Sequence, residues 1–106
     1  MPLERVGFAM QLSEGAADEY RRRHDALWPE LADLLRKSGI SNYSIFLDER
    51  TNTLFGYLER ADCHAMDALP FQPIMREWWA HMRDIMQVNA DNSPVVTPLM
   101  EVFHLS

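Results

Sequence analysis

The chain alternates between two hydrophobic periods, and the order of that alternation narrows its fold more than any other feature. Val6, Phe8, Met10 and Leu12 are apolar at every second position, with Gly7, Ala9 and Gln11 between them. This pattern reads as a strand with one apolar face and one low-profile face. The low-profile face either leaves room for a ligand or lets a neighbour pack close. Ser13 then stands where an N-cap belongs, and Ala16 to Lys37 reads as helix disturbed at Pro29. Its core stripe is Leu27, Leu31, Leu34 and Leu35, and Gly39 ends it just after Arg36 and Lys37.

Tyr43, Ile45 and Leu47 restore the strand period. Asp48 to Thr53 is polar and turn-like, and Leu54 to Glu59 forms the returning strand of a hairpin. Asp62 is placed to cap a short helical turn through Ala68, with Pro70 and Pro73 marking a break and a new start. From Pro73 to Gln87 the helical period returns, through Ile74, Met75, Trp78, Met82, Ile85 and Met86. Asn89 to Pro98 is a polar loop, and Leu99, Glu101, Phe103 and Leu105 alternate as a last strand.

The order strand, helix, strand, strand, helix, strand is an α+β arrangement of the ferredoxin-like, βαββαβ kind. It has an antiparallel sheet with both helices on one face. Residues 1–106 are expected to form one domain, since 106 residues suffice for one core and not two. Two helices cover only one face of such a sheet, yet several strands are apolar on both sides. Phe46 opposes Ile45 and Leu47, Phe55 and Tyr57 oppose Leu54 and Leu58, and Val102 opposes Phe103. A large uncovered apolar face is unusual in a monomer. The expectation is a homodimer packed sheet to sheet.

Several classes are disfavoured. The net charge of -6 argues against a nucleic-acid partner. No stretch approaches the length of a membrane span, and the opening residues Met1 to Arg5 have no signal-type apolar run. Cys63 is the single cysteine, which fits a reducing compartment; the expected location is the cytoplasm. There is no phosphate loop, dinucleotide glycine fingerprint or nucleophile elbow. The histidines at 24, 64, 81 and 104 lack a zinc-site spacing, so no metal site is expected.

Two stretches carry candidate chemistry. Tyr20 and His24 are four residues apart, on one face of the helix and about a turn apart. The imidazole gives and takes a proton near neutral pH, and the Pro29 break just after it could open a crevice. Arg21-Arg22-Arg23, in the same segment, reads as a solvated helix surface. Trp78 and Trp79 are adjacent, so on a helix their rings point about 100° apart and cannot fill one core slot. One belongs to the core, and the other lines a cavity or interface, where aromatic rings suit the C–H faces of sugars. Simple packing of both is the competing reading.

These residues also form a recognisable set. Tyr20-x-x-x-His24-x-x-x-Trp28-Pro29-Glu30-Leu31, Asn42-Tyr43-Ser44-Ile45, Trp78-Trp79-x-x-Met82-x-x-x-Met86, Asn89-x-Asp91-Asn92-Ser93-Pro94 and Glu101-Val102-Phe103 resemble the L-rhamnose mutarotases. The likeness runs from the first strand to the last residues, although the segment from Asp62 to Phe71 carries no motif. It implies a dimeric ferredoxin-like α/β barrel and a cofactor-free isomerase that interconverts the α and β anomers of L-rhamnose. The family's catalytic histidine, a proton donor, falls on His24, and its sugar-contacting residues fall on Tyr20, Tyr43, Trp78 and Trp79.

Mutarotation opens the sugar ring by protonating the ring oxygen and deprotonating the anomeric hydroxyl, and an imidazole suits the first task. The base is left open among Asp91, a backbone carbonyl and a bound water. The same fold also hosts cofactor-free monooxygenases and metabolite-sensing modules. Oxygen uptake, or sugar binding without turnover, would mark those alternatives.

Overall fold

The computed structural model describes residues 3–106; Met1 and Pro2, at the head of the opening stretch, lie outside them. Four strands form one antiparallel sheet in the order β2-β3-β1-β4, with β1 at Leu3–Gln11, β2 at Ile40–Asp48, β3 at Thr53–Ala61 and β4 at Thr97–Leu99. Helices α1 (Ala17–Asp25), α2 (Pro29–Lys37) and α3 (Pro73–Met82) complete the expected ferredoxin-like arrangement. Register sorts the side chains. Val6, Phe8 and Met10 lie opposite Leu58, Gly56 and Leu54, while Ile45 and Leu47 lie opposite Gly56 and Leu54. On this helix-side face Leu54 and Leu58 are among the least exposed residues, at 1% and 2%.

The disturbance at Pro29 is a full break. Trp28 precedes the proline in an extended conformation (φ -63°, ψ 127°), which a residue before proline favours, and Pro29 opens α2. The start of α1 differs from expectation. Ser13 does not cap it; the Ser13 carbonyl accepts from Ala16 N–H in a turn, and Ala16 precedes the helix without a side-chain cap. Acidic Asp18 and Glu19 in the first turn, with Arg22, Arg23 and His24 in the last, complement the helix dipole instead. Gly39 follows Ser38 at φ +90°, the left-handed geometry that ends α2.

Three further boundaries depart from the periodicity. Asp62 caps nothing; the short turn is a 3₁₀ segment at Met66–Phe71 that contains Pro70. Helix α3 stops at Met82 rather than Gln87. Beyond it the chain extends β1's pairing: Ser13 N–H donates to Ile85 O, Gln87 N–H donates to Gln11 O, and Met86 bridges Leu12. Ile85, in a bend where its N–H donates to the Met82 carbonyl, and Met86, bridged to Leu12, therefore reach the core from non-helical backbone whose groups are bonded outside the helix. The last strand covers only Thr97–Leu99. The alternation beyond it forms no ladder and leaves Val102, Phe103 and Leu105 uncovered at 88%, 78% and 80%.

Candidate active site

Strand β2 carries a bulge between Ser41 and Ser44, with Asn42 at φ 49° and its side-chain amide donating to Glu59 Oε1 at 2.6 Å. The extra residue shifts the side-chain parity. Ile40, Ile45 and Leu47 can thus all face the helices, although Ile40 is out of step with the other two. Tyr43 joins them: its ring meets Phe8 edge-on at 6.1 Å. The tip of the Phe8 ring in turn lies over Gly56, where an added Cβ would collide with it. A glycine is needed there to let the Phe8 ring down onto the sheet. Tyr43 keeps 41% of its surface open, yet burial around the phenol pushes its pKa up to about 12.

Opposite the sheet, α1 presents Tyr20 and His24, stacked with ring centroids 4.2 Å apart. Trp78 of α3 meets the imidazole edge-on at 5.4 Å. Tyr20 is 8% exposed, and its hydroxyl is held well above the usual phenol pKa, first by burial and then by the neighbouring Tyr43. The His24 ring donates from Nδ1 to the Tyr20 carbonyl at 3.0 Å. A carbonyl only accepts, so the neutral ring carries its proton on Nδ1 and leaves the Nε2 lone pair free. Burial lowers the His24 pKa, and the carbonyl bond and Asp25 offset part of that shift.

Trp78 is the core member of the pair, at 6% exposure, while Trp79 is half-buried at the core's edge. Chain order dictated the divergence, and the 3.6-residue turn of α3 sets which ring goes inward: Met75, Trp78 and Met82 share the buried stripe. The cluster thus joins Tyr20, His24 and Trp78 ring to ring, with Tyr43 reaching it from the sheet and Trp79 beside it.

Two of its members, Trp28 of the quoted motif and His81, were not expected at the site. Trp28, turned inward by the break before Pro29, packs edge-on against Trp78 at 5.1 Å, and His81 lies 5.5 Å from both Trp28 and Trp78. His81 follows Trp78 by three positions on α3, a spacing that could have flagged it.

The polar atoms of this cluster are unspent. Among the described residues, the Tyr20 hydroxyl, the His24 Nε2 and the Trp78 indole N–H make no hydrogen bond to another protein group. Every fully enclosed side-chain nitrogen or oxygen among those residues has a partner, so these three atoms must reach open space. An open cleft of about 380 Å³ adjoins the cluster at Trp28 and is walled by Pro29, Glu30, Ile74 and Glu77. His24 is not on its wall. No group of three metal-ligating side chains converges among the described residues. No helix among them is long and apolar enough to cross a membrane.

Comparison with known proteins identifies the family. The family model for L-rhamnose mutarotase matches residues 5–105. The L-rhamnose mutarotase of Brucella anthropi is 59% identical over 96% of this chain and 96% of its own length. That of Sinorhizobium fredii is 57% identical over 98% of this chain and 100% of its own. The crystal structure of an L-rhamnose mutarotase from Formosa agariphila superposes with a TM-score of 0.89 at 50% identity, covering 97% of this chain and 99% of that one. With nearly the whole chain aligned at 50–59% identity and the same fold, the chain belongs to the L-rhamnose mutarotase family.

Proposed function

We propose that the chain carries out the reaction of its family, interconversion of the α and β anomers of L-rhamnose, with His24 as proton donor. The observation that supports His24 most is its hydrogen bond to the Tyr20 carbonyl. That bond holds Nδ1–H in both charge states, so any proton exchanged with a ligand passes through Nε2, the atom that faces open space. The imidazolium gives its Nε2 proton to the ring oxygen of the sugar and relaxes to the tautomer the carbonyl already favours. The bond between C1 and the ring oxygen breaks as the anomeric hydroxyl gives its proton to the base, for which Asp91, a backbone carbonyl and a water are the candidates, and the open aldehyde results. Rotation about C1–C2 and the reverse transfers close the ring on the other face. Burial makes the imidazolium scarcer and more acidic, which strengthens each donation.

The hydroxyls of Tyr20 and Tyr43 stay neutral at physiological pH and are suited to orienting sugar hydroxyls. Trp78 and Trp79 supply an apolar wall, which suits a sugar whose C6 is a methyl group. Proton NMR exchange between the anomeric signals of L-rhamnose tests the assignment. Wild type should exchange them, and His24→Gln should keep the fold and lose roughly 10²–10⁴-fold in rate. Full activity in the variant would overturn it.

The second part of the proposal concerns the open face of the sheet, which a second copy of the chain covers. Phe46 and Phe55 face each other across β2 and β3 and stand 67% and 41% exposed, while the same face of β1 is low, at Gly7 and Ala9. Knobs on one side and a hollow in the centre allow two such faces to interlock. A folded monomer of 12.4 kDa should expose about 6,100 Å². This chain exposes 7299 Å², and the excess suits a protomer. Sedimentation as a monomer at micromolar concentration would refute the dimer. The single cysteine, exposed at Cys63, fits the reducing cytoplasm as the working compartment.

A further inference from the structure

The relative placement of His24 and its tryptophan wall is a distance between two helices, because the imidazole stands on α1 and Trp78 on α3. The bond that orients the imidazole lies wholly within α1 and says nothing about where α1 sits. Helix α1 is short, is capped by no side chain at its start and ends at Asp25, ahead of the Pro29 break.

One side chain links the two helices by hydrogen bonds. Arg23, the residue before His24, donates from Nη1 to the His81 carbonyl at 2.6 Å and to Asp84 Oδ1 at 2.8 Å, and from Nη2 to Asp84 Oδ2 at 3.1 Å. Its Nε donates to Glu19 Oε2 at 2.6 Å, one turn back on α1. The guanidinium is therefore gripped on both sides, and its side chain is 11% exposed. Among the described residues, every hydrogen bond from an α1 side chain to another element comes from Arg23. Arg22 forms the contrast: its side chain is 69% exposed and pairs only with Glu19. The expectation that all three arginines form a solvated surface fails at this one position.

We propose that Arg23 is a positioning residue for the reaction, clamping the last turn of α1 to the end of α3 so that His24 Nε2 faces a sugar held against the tryptophans. The fork shape matters. Two parallel bonds to Asp84 and a third to the His81 carbonyl fix direction as well as distance, which a lysine ammonium cannot reproduce. The His81 carbonyl is a C-terminal carbonyl of α3 and needs a donor, so the clamp also closes that helix end. Asp84 stands in the turn just past α3, and the Arg23 guanidinium holds its carboxyl below the usual range.

The inference rests on His24 being the proton donor, so the experiment separates the two. kcat and KM for L-rhamnose anomer exchange are measured by NMR for Arg23→Met, Arg23→Lys, Asp84→Asn, Arg22→Met and His24→Gln, and for Arg23→Met combined with His24→Gln. Displacing a catalytic group by about 1 Å can cost about 10²-fold. Arg23→Met should therefore lose about 10–100-fold in kcat with KM changed less than about threefold. Arg23→Lys should fall between it and wild type. Arg22→Met should match wild type, and Asp84→Asn should lose several-fold. In the His24→Gln background, Arg23→Met should cost nothing further, because a misplaced donor that is already gone cannot be lost twice.

A folded Arg23→Met with wild-type kcat overturns the clamp, as does an equal loss in both backgrounds. If Arg23→Met fails to fold, Asp84→Asn decides: its carboxylate side is exposed and its loss is mild, so wild-type kcat there overturns the clamp. Full activity of His24→Gln would instead overturn the assignment of the donor.

Discussion

The two faces of the sheet are made from the same strands and end in opposite states. On the helix side, Leu54, Leu58 and Met10 are sealed beneath the helices, and glycine at position 56 lets the Phe8 ring lie on the backbone. On the other side, Phe46, Phe55 and Leu99 stand in the open, and an Arg5–Glu101 ion pair with bonds of 3.1 and 2.8 Å crosses from β1 to the C-terminal segment. The two faces differ in what they leave open. The helix side is sealed except around the unpartnered polar atoms of the candidate site. The open side is apolar and uncovered within one chain, which is the ground for the proposed second copy.

That contrast can be broken most sharply by charging the open face. Phe46→Glu with Phe55→Glu should convert the protein to a monomer in sedimentation velocity at micromolar concentration, with Trp fluorescence of the helix side unchanged. Retained association would mean that the copies meet elsewhere. The next largest effect belongs to the helix side. Trp78→Ala should lower stability by about 3–5 kcal/mol in urea unfolding, because a buried ring leaves a cavity. Trp79→Ala should cost clearly less and act mainly through a raised KM, and equal losses would erase the distinction between the two rings.

A smaller and more local test compares two glycines, one on each face. Gly56→Ala should destabilise by about 1–3 kcal/mol, since its methyl collides with the Phe8 ring. Gly7→Ala meets only ordinary contacts, the nearest at 3.8 Å to Leu99, and should be nearly silent in the isolated protomer. A silent Gly56→Ala would show that Phe8 does not lie where the site requires it.

The smallest effects are on pH-dependent stability. The His24 pKa is depressed on folding, so the unfolded chain binds its proton more readily. The corresponding stability is present above about pH 6.5 and is lost as pH falls through the depressed value. Tyr20 has the opposite sign: its raised pKa gives stability that is present below about pH 10 and is lost as pH rises through the folded value. The difference in urea midpoint between wild type and His24→Gln should change with pH on the acid side only.

The alternation in β1 and the proline at the head of α2 were legible because each has a local cause: side-chain period in one, a missing N–H in the other. The bulge at Asn42–Tyr43 was not, because its effect appears only when Ile40 is seen buried out of step with Ile45. The end of α3 was misjudged because Ile85 and Met86 keep helical spacing while their backbone pairs with β1. Spacing records burial, and burial can be reached from either backbone. The alternation past Leu99 marks residues that one chain leaves uncovered. Arg23 looked like its two neighbours because its partner Asp84 lies 61 residues away. His24 and Tyr20 were visible as a pair, but the free Nε2 became apparent only with the carbonyl bond in view.

The pH dependence of anomer exchange bears most directly on His24 as donor. The enzyme's contribution to the L-rhamnose exchange rate, after subtraction of the spontaneous rate, should fall as pH rises through a midpoint below about 6.5, following the imidazolium. The midpoint should vanish in His24→Gln. A rate that rises through that midpoint, or a profile the substitution leaves unchanged, would contradict a proton donated from His24 Nε2.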